Sequence, residues 1–146
     1  MPQFSRHVTV DWNGTLMDGK GQAKAGTGAF ALPVTFPQRI GEAHGATSPE
    51  ELVAGAHAAC YAMVIAGALA KNNVTAKGHH VTATVTADKG EAGIKLITSR
   101  LDVIVDGPQG METDKLVETL KAAEHGCPIS NALRGQLAIE VHVTVK

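Results

Sequence analysis

The chain has two cysteines, Cys60 and Cys127, and these are the side chains best suited to chemistry. Cys60 lies inside a long apolar stretch of helical composition. Cys127 follows Gly126 and precedes Pro128, where two helical patterns meet. Two lone, separated thiols point to redox chemistry more than to a structural bridge or a zinc site. A metal reading of the same region stays open. His57 and Cys60 stand three residues apart on a helical pattern and would face the same way. His125 and Cys127 could then complete a Cys2His2 set, although the spacing follows no common zinc motif. His79 and His80 are adjacent in a strand pattern, point to opposite faces and cannot chelate together. Glu50-Glu51 and Asp114 with Glu118 read as helix-surface charge, so glycosidase- or protease-like chemistry has little support.

Composition narrows the partners. The 146 residues fit a single domain spanning 1–146. The formal net charge of -1, with 18% charged residues, leaves no basic surplus to neutralise phosphates. No nucleic acid and no anionic membrane is therefore expected as a partner. Aromatic residues make up only 3%, so the core must be aliphatic and alanine-rich. Such a chain often gains burial by forming an oligomer. The opening Met1-Pro2-Gln3-Phe4-Ser5-Arg6 contains no apolar targeting stretch, which points to the cytoplasm. There a permanent disulfide is disfavoured and a transient one is useful. Residues 52–70 carry no charge and are long enough to span a bilayer. They are mostly alanine and glycine, contain His57 and Cys60, and lack aromatic anchors. The expectation is instead a helix buried on all sides, with no membrane span.

The elements that must position these residues can be read along the chain. Residues 7–12 read as a strand and Asn13-Gly14 as a turn. The glycine-rich stretch 19–28 reads as strand-connecting turns; no Gly-Lys-Ser or Gly-Lys-Thr follows to make a phosphate loop. Residues 30–35 read as a strand and 36–47 as a loop. Ser48-Pro49-Glu50-Glu51 is a capping box, with Glu51 placed to reach back to the Ser48 N–H, and it opens a helix running to about Lys71. Val81, Ala83, Val85 and Ala87 alternate with threonines as a half-buried strand, and 94–105 reads as another. Leu116, Val117, Leu120 and Ala123 have helical spacing, with Gly126 as the stop. Pro128 opens a short helix with Cys127 at its N-cap. Residues 137–145 form a cleanly alternating last strand. The order is α+β rather than a regular βαβ repeat.

At the motif level, Thr47-Ser48-Pro49-Glu50-Glu51-Leu52 followed by His57-Ala58-Ala59-Cys60 resembles the signature of the osmotically inducible protein C (OsmC) family, which includes the organic hydroperoxide resistance branch. Glu124-His125-Gly126-Cys127-Pro128-Ile129-Ser130 resembles that family's second cysteine motif. The resemblance in element order covers essentially the whole chain. It implies an OsmC-like fold with antiparallel sheets packed around a long central helix, built as an intertwined homodimer. It further implies a thiol-dependent peroxidase that reduces organic hydroperoxides. Arg39 sits where the OsmC branch is expected to carry its catalytic arginine, and no arginine occurs between Arg6 and Arg39, where the other branch would place one. The OsmC branch is therefore favoured. Ser48 replaces the asparagine common before Pro-Glu, and Tyr61 stands where phenylalanine is common.

The chemistry follows from these residues. Cys60 would attack the peroxide as a thiolate, yet burial raises a thiol's pKa and the cap at Ser48 is too distant for the helix dipole to help. Arg39 is the best candidate to offset that burial, and Glu50 can hold its guanidinium through a two-point pair. Cys127 would be the resolving thiol, condensing with the sulfenic acid formed on Cys60. Phe36, Ile40, Tyr61 and Met63 could supply an apolar lining, favouring alkyl or aryl hydroperoxides. No cofactor is expected, and the resemblance implies an external dithiol reductant such as a lipoyl group. Glu50 and Cys60 are ten residues apart, or about 15 Å along one helix. They share a site only if the helix breaks near Gly55 or if a loop and a second subunit join the parts. The expectation is a subunit-interface site, with Arg39 on a mobile loop. The rival readings are a non-enzymatic dimeric domain binding an apolar ligand, and the Cys/His metal site.

Overall fold

A computed structural model describes residues 2–146. The chain divides into two compact units, residues 1–52 and 53–146.

The first unit is built on strands β1 (Val8–Asn13), β2 (Lys20–Ala25) and β3 (Ala31–Val34), which form an antiparallel sheet in the order β1-β2-β3. The β1–β2 turn needs Gly14: its φ is 98°, and a Cβ there would meet the Gly19 Cα at 2.8 Å. Strand β2 occupies sequence expected to be turns. Its alternation is real but muted: Gly21, Ala23 and Ala25 are the more covered positions, and Lys20, Gln22 and Lys24 are exposed. Gly21 pairs with Trp12, and a Cβ at Gly21 would come within 2.7 Å of the indole ring. The absence of a side chain is thus what lets the tryptophan lie across the strand.

After β3, the expected loop contains a short helix, α1 (Phe36–Ile40). Thr35 caps it, its Oγ1 accepting from the Gln38 N–H at 3.3 Å. The Thr35 hydroxyl also donates to Gln38 Oε1 at 2.8 Å. Gln38 Nε2 in turn donates to the His44 carbonyl at 3.0 Å, tying the following loop to the helix.

Helix α2 (Pro49–Lys71) starts and stops where the sequence indicates and runs unbroken through Gly55. Ser48 Oγ accepts from the Glu51 N–H at 3.1 Å. The other arm of the capping box is not made: the Glu51 carboxylate accepts instead from the Thr47 hydroxyl at 2.7 Å. The helix ends with Asn73 in the left-handed region at φ 55°. By length and composition α2 could cross a membrane. It is not buried on all sides. His57, Tyr61, Ile65 and Leu69 form one buried stripe at four-residue spacing. Gly55, Ala56, Ala59, Met63, Ala66, Gly67 and Ala70 are exposed. The sequence is apolar around the helix, so its own pattern does not say which side the chain covers.

The second unit contains strands β4 (Gly78–Gly90), β5 (Gly93–Asp106) and β6 (Ala138–Val145). Strands β4 and β5 form an antiparallel hairpin with a register shift at Thr86/Ala87. Strand β6 pairs with β5 in parallel, so this sheet is mixed rather than antiparallel throughout. The parallel pairing is allowed because helix α3 (Thr113–Ala123), a 3-10 turn (Glu124–Gly126) and helix α4 (Pro128–Leu133) form the crossover. Leu101, Val103 and Val105 face one way on β5 and stand opposite Val141, Val143 and Val145 on β6. Together with Tyr61, Ile65 and Leu69 of α2 and Leu116 and Leu120 of α3 they form the core, which also takes in Cys127.

Candidate active site

The first unit holds a cation–carboxylate cluster. Arg39 lies in the last turn of α1 and Glu50 in the first turn of α2. Arg39 Nε donates to Glu50 Oε1 at 2.7 Å, and Nη2 donates to Oε2 at 3.0 Å. This two-point pair raises the guanidinium pKa further and fixes its plane. It occupies one edge of a group with five donors, leaving the Nη1 side for another acceptor. Arg39 is therefore a held cation on a capped helix rather than a charge on an open loop. Beside it lies an apolar cavity of about 170 Å³ walled by Trp12, Leu16, Val34, Phe36, Pro49 and Arg39. Of the expected apolar lining, Phe36 stands in this wall, while Ile40 and Met63 are exposed. Trp12 and Leu16 were missed; the strand pattern alone gave no signal for them.

The second unit brings the two thiols together. Both are free; Cys60 is partly exposed and Cys127 is buried. Cys127 and the Ile129 backbone N–H both lie close enough to Cys60 to act on its ionisation. Burial pushes the Cys60 thiol above its ordinary pKa, the Ile129 N–H pulls it back, and the neighbouring Cys127 pushes it up again. Cys127 is the N-cap of α4, its Sγ accepting from the Ser130 N–H at 3.4 Å. The Ser130 N–H thus addresses the Cys127 sulfur, while its neighbour, the Ile129 N–H, acts on the Cys60 thiol. A thiol reachable from solvent, with a second thiol shielded behind it, is an arrangement suited to oxidation at one sulfur followed by disulfide closure.

Tyr61 differs from its expected role, and His57 from the rival metal reading. Tyr61 is fully buried and donates its hydroxyl to the Leu120 carbonyl at 2.6 Å, so it is a core side chain and not a substrate wall. His57 is also fully buried. Its Nδ1 is hydrogen-bonded to Ser99 Oγ and its Nε2 to Ser130 Oγ, both at 2.7 Å. With both ring nitrogens engaged, His57 is no metal ligand. His125 is exposed. Among the described residues no group of three or more His, Cys, Asp or Glu is placed to hold a metal ion. Glu124, buried, pairs with Arg134 and thereby braces the turn before Cys127 against the end of α4. The His57–Ser99–Ser130 contacts join segments 42 and 73 residues apart, a relation that no local spacing encodes.

The family model described as OsmC-like protein matches residues 41–142. The chain belongs to this family. Peroxiredoxin OsmC of Escherichia coli K12 is 32% identical over 132 residues, covering 88% of this chain and 90% of that protein. Organic hydroperoxide resistance protein-like 2 of Staphylococcus saprophyticus is 32% identical over 135 residues, covering 88% of each. The fold is that of solved OsmC and organic hydroperoxide resistance proteins. A crystal structure of an organic hydroperoxide resistance protein from Elizabethkingia anophelis superposes with a TM-score of 0.78, at 22% identity, with full coverage of both chains. Membership of the OsmC-like family supports a hydroperoxide-related redox role and, at the level of the family, peroxidase-type activity.

Proposed function

We propose that this OsmC-like chain is a thiol-dependent peroxidase that reduces organic hydroperoxides to alcohols through a two-cysteine cycle. The observation that carries the reading is the closeness of Cys60 and Cys127, near enough for one thiol to shift the ionisation of the other, in a chain with no other thiol. The Cys60 thiolate attacks the distal oxygen of the hydroperoxide. The O–O bond breaks, the alkoxide takes a proton and leaves as the alcohol, and Cys60 is oxidised to the sulfenic acid. Cys127 then attacks the Cys60 sulfur as a thiolate, the S–S bond forms, the S–O bond breaks, and hydroxide leaves as water. An external dithiol, of which a lipoyl group is one type, reduces the disulfide by exchange. Such a reductant pool matches a cytoplasmic setting.

The Cys60 thiol needs a cation, because burial raises its pKa. Arg39, oriented by Glu50, is the proposed source. Helix α2 is continuous from Glu50 to Cys60, a rise of about 15 Å. In this reading the arginine–glutamate pair serves the thiol of a second copy in a homodimer. The exposed side of α2, alanine and glycine around Met63, supports close approach of such a copy. The cavity beside Arg39 is apolar and small, which favours alkyl or aryl hydroperoxides over hydrogen peroxide.

The test is thiol titration before and after one equivalent of cumene hydroperoxide. Two thiols per chain should disappear and return on treatment with a dithiol. Thiols that survive the peroxide unchanged would leave the chain a non-enzymatic domain.

A further inference from the structure

We infer that His57 is a positioning residue for the resolving step, acting through Ser130 to hold the first turn of α4 against both sulfurs. The inference rests on the two-cysteine reading above. His57 lies one turn before Cys60 on α2, on the same face, and has no exposed surface. Its two ring nitrogens reach two other elements: Ser99 on β5 and Ser130 in α4, each at 2.7 Å and each serine fully buried. A neutral imidazole donates from one nitrogen and accepts at the other, and a hydroxyl can serve either role, so the chain Ser99–His57–Ser130 is fully satisfied. Its end is chemically pointed. The residue whose hydroxyl His57 holds is the residue whose N–H is donated to Cys127 Sγ. The preceding N–H, that of Ile129, lies close enough to Cys60 to pull its pKa down.

The consequence concerns the competition at the Cys60 sulfenic acid. In one path Cys127 attacks the Cys60 sulfur, the S–S bond forms, and the oxygen leaves as water. In the other a second hydroperoxide transfers an oxygen to the same sulfur, yielding sulfinic acid and a second molecule of alcohol. Attack by Cys127 requires its sulfur to be in line and its thiolate to be held by the Ser130 N–H. An α4 turn released from His57 loses that alignment, and a displacement of about 1 Å is enough to slow a reaction between two held groups by one or two orders of magnitude.

The serine partners separate positioning from simple core packing. An asparagine amide at position 57 reproduces the Nδ1 side of the ring and keeps Ser99 while losing Ser130. A glutamine amide reproduces the Nε2 side and keeps Ser130 while losing Ser99. The experiment treats wild type, His57→Asn, His57→Gln and Ser130→Ala with graded cumene hydroperoxide. Intact mass then gives the ratio of Cys60–Cys127 disulfide to Cys60 sulfinic acid. His57→Asn and Ser130→Ala should shift that ratio toward sulfinic acid on the order of tenfold, while His57→Gln stays near wild type. If His57→Asn does not fold, Ser130→Ala, which removes only a hydroxyl, carries the same expectation. Equal ratios in wild type and Ser130→Ala, or equal shifts in the Asn and Gln variants, overturn the inference while the peroxidase reading stands. A wild-type chain that loses no thiols overturns the peroxidase reading and this inference with it.

Discussion

The Cys60 sulfur is subject to opposed local effects. Burial raises the Cys60 pKa, and the Ile129 N–H lowers it only in part. A cation near the sulfur would move the balance toward thiolate, and the proposed one, the Arg39 guanidinium, is held in one plane by Glu50. Replacing Arg39 by alanine should therefore move the pH dependence of Cys60 alkylation upward, read by peptide mass spectrometry over a series of iodoacetamide pulses. The same midpoint in both proteins would remove Arg39 from the mechanism. Arg39→Lys keeps the charge but cannot make the two-point pair, and kcat/KM for cumene hydroperoxide should fall by roughly 10²-fold, the scale for losing one preorganised donor. At the second sulfur, Cys127→Ser leaves the Cys60 sulfenic acid without its partner. That variant should complete one turnover and then accumulate sulfinic acid; a variant that keeps turning over would show that Cys127 does not resolve the intermediate.

At the level of elements, pH should act through the contact between α2, β5 and α4. Burial lowers the His57 pKa from 6.5, with Glu124 pulling it up and Arg134 pushing it down. The folded chain thus keeps His57 neutral to lower pH than the unfolded chain does. Between the two pKa values the unfolded chain binds more protons, so stability is fully present above about 6.5 and declines as pH falls through the folded value. Urea midpoints measured from pH 7.5 down to 5 should fall in wild type and fall less in His57→Gln, where nothing titrates at that position. Parallel curves would contradict this. The elements themselves were unequally legible. Helix α2 announced both ends because Ser48-Pro49 and Asn72-Asn73 are local chemical signals. Strand β6 showed through strict alternation, but its parallel pairing depends on a crossover that alternation does not encode. Strand β2 was hidden because its covered side is glycine and alanine, which carry little hydrophobic contrast. Helix α1 was missed although Thr35-Phe36-Pro37-Gln38 has the residues of a helix start, because the nearby glycines suggested a loop. The motifs placed Cys60, Cys127, Arg39 and Glu50 in the sequence. The role of His57 as a link between serines was not legible, because its partners come from two distant segments.

On the scale of the molecule, the partnership that matters is between the arginine and the thiol. One continuous helix separates Glu50 from Cys60, and its outward side is a run of small residues around Met63, which is 74% exposed. An apolar surface of this sort is a site for association, and a two-fold partner would present every residue twice, once to each side. If the guanidinium acts across such an interface, the protein should sediment at twice the 15.1 kDa chain mass, and Met63→Glu should lower both the mass and the activity. A more direct measurement uses two inactive chains. Arg39→Ala retains the thiols, and Cys60→Ser retains the guanidinium. Mixed and allowed to exchange subunits, they form a heterodimer in which one site receives an intact arginine from one chain and an intact thiol from the other. Random pairing of equal amounts should then restore about a quarter of wild-type activity, since half the dimers are mixed and each carries one working site of two. If each thiol instead drew on the arginine of its own chain, no mixed dimer would contain a complete set, and the mixture would stay as inactive as its parts.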